Sequence, residues 1–228
     1  LVAWMDTINS KNYGKAVIFS AEHSEDNDLN FKLKRSFKIP NILGKFLMNK
    51  YFMSFFNRFY YLMHKDNSNI KKDLDNFFYP LDKVFNLNKL YGKKGFTQIQ
   101  VLIKDKDKDK YEEILIKILK FFKEKEIYSF LTTLKEYGEG NNNYLSFPVK
   151  GVCIALDIPL SNNFFEIYKE LEKNISNYNL KIYLAKDSFM SKSFFTNSYD
   201  KIILFNDFKK KIDPSSKFQS VQSKRLGL

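Results

Sequence analysis

Apolar and polar positions divide the chain into two unequal parts. From residue 96 onward the pattern is regular. "FTQIQVLIK" (96–104) alternates with the period of a strand. "YEEILIKILKFFKEKE" (111–126) puts Ile114, Ile118 and Phe121 on one side of a helix. "IYSFLTTLKEYG" (127–138) reads as a strand, "EGNNN" as a turn, and "VCIALDI" within 144–160 as another strand. A second helix is expected over 162–179, and "LKIYLAKDS" is the next strand. The charge run "KDKDKDK" (104–110) is expected to be a solvated connection leading into the first helix. Strand, helix, strand, strand, helix, strand is the split βαβ order of a ferredoxin-like α+β fold. Such a unit makes an antiparallel sheet with both helices on one face and leaves the other face open. A further helix is expected from about Tyr199 to Lys211, stopped by Asp213-Pro214, with a short basic tail after it.

The first part is less regular. Residues 1–8 and 15–21 read as strands joined by "NSKNYG". Residues 22–38 are polar and 66–76 are a polar loop. Between them, Ile39 to Lys65 has helical spacing, with Ile42, Phe46, Met53, Phe56 and Tyr60 on one broad face and Asn41 as a cap. The tract is aromatic and carries Lys45, Lys50, Arg58 and Lys65. It suits either a core-packed helix or a membrane-surface element.

Composition narrows the chemistry. The 228 residues are 44% hydrophobic and 17% aromatic, enough for a sizeable core. A single cysteine, Cys153, excludes an intramolecular disulfide framework, and two distant histidines, His23 and His64, make a zinc site unexpected. A net charge of +12 admits nucleic acid, an anionic membrane surface or a phosphorylated substrate as partner. Almost all the basic residues are lysines, the arginines being Arg35, Arg58 and Arg225. Bidentate arginine is the usual reader of base edges, so no nucleic-acid partner is expected. No run of apolar residues is long enough for a membrane-spanning helix. The chain opens inside an apparent strand, "LVAWMDTI", and reads as a piece of something longer. A cytoplasmic location, or one peripheral to the inner face of a membrane, is expected.

Polar residues inside otherwise apolar strands are the candidates for chemistry. Gln98 and Gln100 share one face of their strand; Lys135, Asp157 and Lys186 sit in or at the ends of others. If the sheet pairs as expected, Gln98 or Gln100, Lys135 and Asp157 converge on one face. Taken singly, each reads first as an ordinary structural or solvated residue. Cys153 reads as a small core residue. No Ser-His-Asp set, P-loop or dinucleotide fingerprint is present.

Four segments in order carry a resemblance. They are "FFYPLDKVFNLNKLYGKKGFTQIQ" (77–100), "YSFLTTLKEYGEGNNNYLSFPVKGVCIALDIP" (128–159), "IYLAKDS" (182–188) and "KKKIDPSSKFQSVQSKRLGL" (209–228). Together they resemble the C-terminal half of FAD-linked oxidases of the vanillyl-alcohol-oxidase type, above all the decaprenylphosphoryl-β-D-ribose oxidase family. "LVAWMDTI" fits the start of that family's substrate-binding half. The resemblance implies a substrate-binding domain over 1–180, with 22–76 as a loop-rich, partly mobile insert. Residues 181–228 would return to an FAD-binding domain that this chain lacks. It implies FAD as cofactor, hydride transfer from the 2′-hydroxyl of a lipid-phosphate-linked pentose, and a reductase partner that completes an epimerisation. Lys186 matches the lysine of the family's "KDS" motif against the flavin, and Tyr183 a neighbouring aromatic. Gln98, Gln100, Lys135, Asp157 and Tyr79, the last in "YPLD", match substrate-pocket positions. Ala155 stands where some members have cysteine, so thiol chemistry is not expected there.

Overall fold

The computed structural model of the chain describes residues 2–8, 15–25, 37–38, 49–64, 70–74, 77, 84–129 and 131–228. Its centre is a six-stranded antiparallel sheet. β1 (Val2–Met5) and β2 (Ala16–Phe19) form a hairpin at one edge. The two-residue strands β3 (Phe37–Lys38) and β4 (Val84–Phe85) pair apart from the main sheet. β5 (Phe96–Lys104), β6 (Thr132–Tyr137), β7 (Gly151–Pro159) and β8 (Leu180–Ile182) complete it in the order β2-β1-β6-β7-β5-β8. The last four strands alone are the expected ferredoxin-like unit. β5 and β6 lie either side of β7, antiparallel to it, and β8 closes on β5.

One face of this sheet is apolar because alternate residues of every strand are apolar. Ile99, Val101 and Ile103 of β5 and Ile154, Leu156 and Ile158 of β7 are all at most 3% exposed. Helix α2 (Tyr111–Glu124) covers them with Ile114, Ile118, Phe121 and Phe122, and helix α3 (Phe164–Ile175) with Phe164, Ile167, Leu171 and Ile175. Each such side chain contributes about 1.5–3 kcal/mol by burial. Helix α1 (Lys50–Met63) lies earlier in the chain and is capped by Asn49, whose side chain accepts from Tyr51 N at 2.8 Å. The expected cap, Asn41, lies outside the described residues.

Three expectations are corrected. The last strand ends at Ile182, not at Lys186: Leu184–Lys186 form a 3-10 turn instead. The segment after it holds three helices rather than one: α4 (Lys192–Ser198), α5 (Ile202–Ile212) and α6 (Val221–Leu226). The second sheet face is not simply open. Helix α1 docks on its β1–β2 edge, where Trp4 meets Tyr60 with ring centroids 4.6 Å apart and Asn57 Nδ2 donates to buried Asp6 Oδ1 at 2.7 Å. At the β8 edge the 138–150 connection lays Phe147 against Leu102 and Cys153.

Candidate active-site face

Between those two covers lie the polar residues. Strand register puts them together. Gln98 pairs across from Asp157, Gln100 from Ala155, and Lys135 from Cys153, so all project from one side of the sheet. Lys135 and Asp157 were expected to share a face with Gln98 or Gln100, and the register places both glutamines there.

Asp157 is the most tightly held of them. It is 3% exposed. Gln98 Nε2 donates to its Oδ1 at 2.6 Å and the Tyr91 hydroxyl to its Oδ2 at 3.3 Å. Its backbone N–H meets Ser129 Oγ at 3.0 Å. Burial pushes the carboxyl above the usual aspartate range; the donors Gln98 and Tyr91 and the nearby charge of Lys186 oppose that rise. Burial and the adjacent carboxylate push the Tyr91 phenol far up as well, so it stays a neutral donor. Tyr91 had no motif to mark it. It ends a 3-10 turn (Leu87–Tyr91) and is turned back over the strand ends by Gly92, whose φ of 73° favours glycine. Its ring stacks on Phe96 at 4.2 Å.

The second group sits one pleat along. Gln100 is buried, and its Nε2 donates to the Tyr137 hydroxyl at 3.2 Å. Cys153 is 1% exposed, and burial pushes its thiol up to about 11, against the pull of a hydrogen bond with Gln100 and the charge of Lys135. It is an inert thiol at neutral pH, as expected for a core residue. Lys135 itself is exposed. Tyr183 is half-buried, stacks in a tilted arrangement on Phe147 at 4.6 Å, and donates its backbone N–H to Gln100 O at 3.0 Å.

Lys186 is exposed at the end of the 3-10 turn, with its backbone N–H bonded to Tyr183 O at 3.0 Å. Chain direction explains why it acts on Asp157. β8 runs antiparallel to β5, so continuing past Ile182 carries the chain from Gln100 back towards Gln98. Its neighbour Asp187 behaves oppositely. The Asp187 side chain is 0% exposed and accepts from Phe189 N, Met190 N and Arg225. Tyr79 lies outside the described residues.

The face offers a cation on a fixed turn, an adjacent tyrosine and a row of amide donors. Among the described residues no group of histidine, cysteine and carboxylate side chains could hold a metal ion. No described helix is long and apolar enough to cross a membrane. A polar groove of about 620 Å3 lies elsewhere, lined by residues such as Lys104, Lys169, Glu172 and Asn197.

No family model matches the chain. A decaprenylphosphoryl-β-D-ribose oxidase of Mycolicibacterium smegmatis is 27% identical over 236 residues, which cover 99% of this chain and 50% of the relative. An uncharacterised protein in the mprA 5′ region of Streptomyces coelicolor is 30% identical over 96 residues, 42% of this chain and 26% of the relative. The chain thus spans about half the length of the first relative and a quarter of the second. The resemblance carried by the four segments extends, in the first relative, along nearly the whole chain, and the six-stranded antiparallel sheet with its helices accords with the C-terminal half of a flavin oxidase.

Proposed function

We propose that the chain is the substrate-side half of an FAD-dependent oxidoreductase that oxidises the 2′-hydroxyl of a polyprenylphosphoryl-pentose to a keto sugar. The carrying observation is the placement of Lys186. It is an exposed cation on a hydrogen-bonded turn, at the rim of a sheet face that holds Gln98, Gln100, Lys135, Tyr183 and Asp157. FAD, when bound, supplies a hydride acceptor for the carbon bearing the alcohol. This chain's residues supply position and charge. Lys186 and Tyr183 would hold the flavin, the lysine cation favouring the negative charge that develops on the ring as it is reduced. Lys135 suits the sugar phosphate as an exposed cation, and the glutamine amides suit sugar hydroxyls. Asp157 fixes the orientation of Gln98 through its 2.6 Å bond. In this reading residues 1–180 form the substrate domain and 181–228 return to the FAD domain, and a reductase partner reduces the keto sugar from the other face to complete the epimerisation.

Helix α1 supports a lipid-linked substrate. It carries no acidic residue and turns Tyr51, Phe55, Phe59, Leu62 and Met63 outward, all more than half exposed, beside Arg58. An aromatic and basic surface of this kind suits an anionic bilayer. It equally motivates a binding module without chemistry, for which tight, salt-dependent vesicle binding without flavin chemistry would be the result.

The test is anaerobic flavin reduction in the full-length protein. Lys186→Ala is expected to nearly abolish reduction by the polyprenylphosphoryl-pentose. An exposed lysine matters little to folding, so stability should move by less than about 0.5 kcal/mol. A parental rate in that variant overturns the role of Lys186. Reduction by soluble sugars or aldonolactones alone overturns the lipid-linked substrate.

A further inference from the structure

The turn that carries Lys186 is gripped from outside. Helix α6 presents Gln222 and Arg225 on one face, three residues apart. Gln222 Nε2 donates to Leu184 O at 2.6 Å and lies within 3.3 Å of Asp187 O and 3.4 Å of Asp187 Oδ2. Arg225 Nη2 donates to Asp187 Oδ2 at 2.6 Å, and its Nη1 donates to Met190 O. The carbonyls on both sides of Lys186 are therefore tied to a single helical turn. Asp187 completes the clamp from within, accepting from Phe189 N at 2.9 Å and Met190 N at 2.7 Å.

Helix α6 is itself well anchored for six residues. Ser220 and Ser223 cap its start reciprocally, and Gly227 ends it in the left-handed region at φ 77°. Leu226, 2% exposed, fixes it to the main core. With Asp187 fully buried and Arg225 only partly exposed, the pair gains little stability, because desolvation of the carboxylate offsets much of the attraction. What it supplies is geometry: a planar guanidinium bonded to a carboxylate and a carbonyl at once admits one arrangement of the turn.

We propose that Arg225 and Gln222 are positioning residues that hold the Lys186 ammonium at its working place against the flavin. This rests on the reading of Lys186 given above. Neither side chain touches the reacting atoms; both act through the backbone of the turn. Loss of the clamp lets Lys186 sample other positions, which weakens its effect on the flavin without removing the charge.

The experiment uses the full-length, FAD-loaded protein and two readouts, the affinity of the oxidised flavin for sulfite and the single-turnover rate of reduction. Sulfite adds to the flavin as an anion-generating nucleophile, so its affinity reports a nearby cation without any substrate. Lys186→Met should weaken sulfite binding strongly. Arg225→Met should weaken it about tenfold, the scale of one lost charged hydrogen bond. It should slow flavin reduction by about 10–100-fold, the cost of a misplaced group, with KM little changed. Arg225→Lys, which keeps the ion pair but not the fork, should recover part of the loss. The decisive variant combines Arg225→Met with Lys186→Met: sulfite affinity should equal that of Lys186→Met alone. Full additivity would mean a merely structural role and overturn the proposal. Parental behaviour of Arg225→Met, with Lys186→Met impaired, overturns the positioning role alone. Parental sulfite binding in Lys186→Met overturns both readings. Should Arg225→Met fail to load FAD, Gln222→Met, expected to lose several-fold, decides by the same comparison with Lys186→Met, and parental values there reject the clamp.

Discussion

The two faces of the sheet are made by the same strands and differ at every second residue. On β7, Ile154, Leu156 and Ile158 point to the helices, while Cys153, Ala155 and Asp157 point to the other side. The first set is held by area, and any apolar neighbour of the right shape will do. The second set is held by pairs, and each polar atom depends on a named partner: Asp157 on Gln98 and Tyr91, Gln100 on Tyr137. A face of the first kind specifies the fold. A face of the second kind specifies directions of donors and acceptors, which is what a site needs.

This contrast can be broken from both sides. Ile154→Ala, at 0% exposure, should lower stability by about 2–5 kcal/mol through lost burial and the cavity left. The shift in urea midpoint of the full-length protein would show it. Gln98→Leu should cost about 1–3 kcal/mol although it adds apolar surface, because it strips a donor from a buried carboxylate. A gain in stability there would show that the polar face is held by area after all.

Asp157→Asn should act in the opposite direction and by less. Because the folded carboxyl is raised above its ordinary value of 3.8, the folded state binds the proton more tightly than the unfolded state. Stability contributed by this group is greatest below the ordinary value and falls as pH rises through the raised one. The asparagine variant should therefore match or exceed the parent at pH 7, and its advantage should shrink towards pH 4. Thermal unfolding at the two pH values measures this; an advantage that grows with acidity would contradict it. The smallest effect concerns Cys153. A buried thiol pushed up to about 11 should react with a maleimide very slowly at pH 7 and quickly in denaturant. Fast native labelling would show that the polar face opens on its own.

Most of the sheet was legible because long elements repeat their period. Strands 96–104 and 151–159 and helices 111–124 and 164–175 each run nine residues or more, so several residues agree on one face. The site's main face followed from that period together with the pairing: alternation puts Gln98 and Gln100 on one side of β5, and the β5–β7 register adds Asp157. Short elements gave no such vote. α4 and α6 have seven and six residues, under two full turns. Their ends were nevertheless written in the sequence: Ser191 caps α4, and Ser220 and Gly227 bracket α6. The usual Glu or Gln of a capping box is replaced by Ser223, which hid it. Tyr91 and Arg225 were illegible for a different reason. Tyr91 meets Asp157 across 66 positions and Arg225 meets Asp187 across 38, and no local pattern encodes such pairings. The apolar stretch Ile182, Tyr183, Leu184 imitated a longer strand, but the chain leaves β5 at Tyr183 and tightens into a turn.

The docking of helix α6 has a genetic consequence. A stop codon after Gln219 would spare every strand of the sheet and every described helix before α6. The product would keep most of its core side chains. It would lack Gln222, Arg225 and the buried Leu226. Truncations that remove α6 should therefore behave as loss-of-function alleles although they leave the sheet intact.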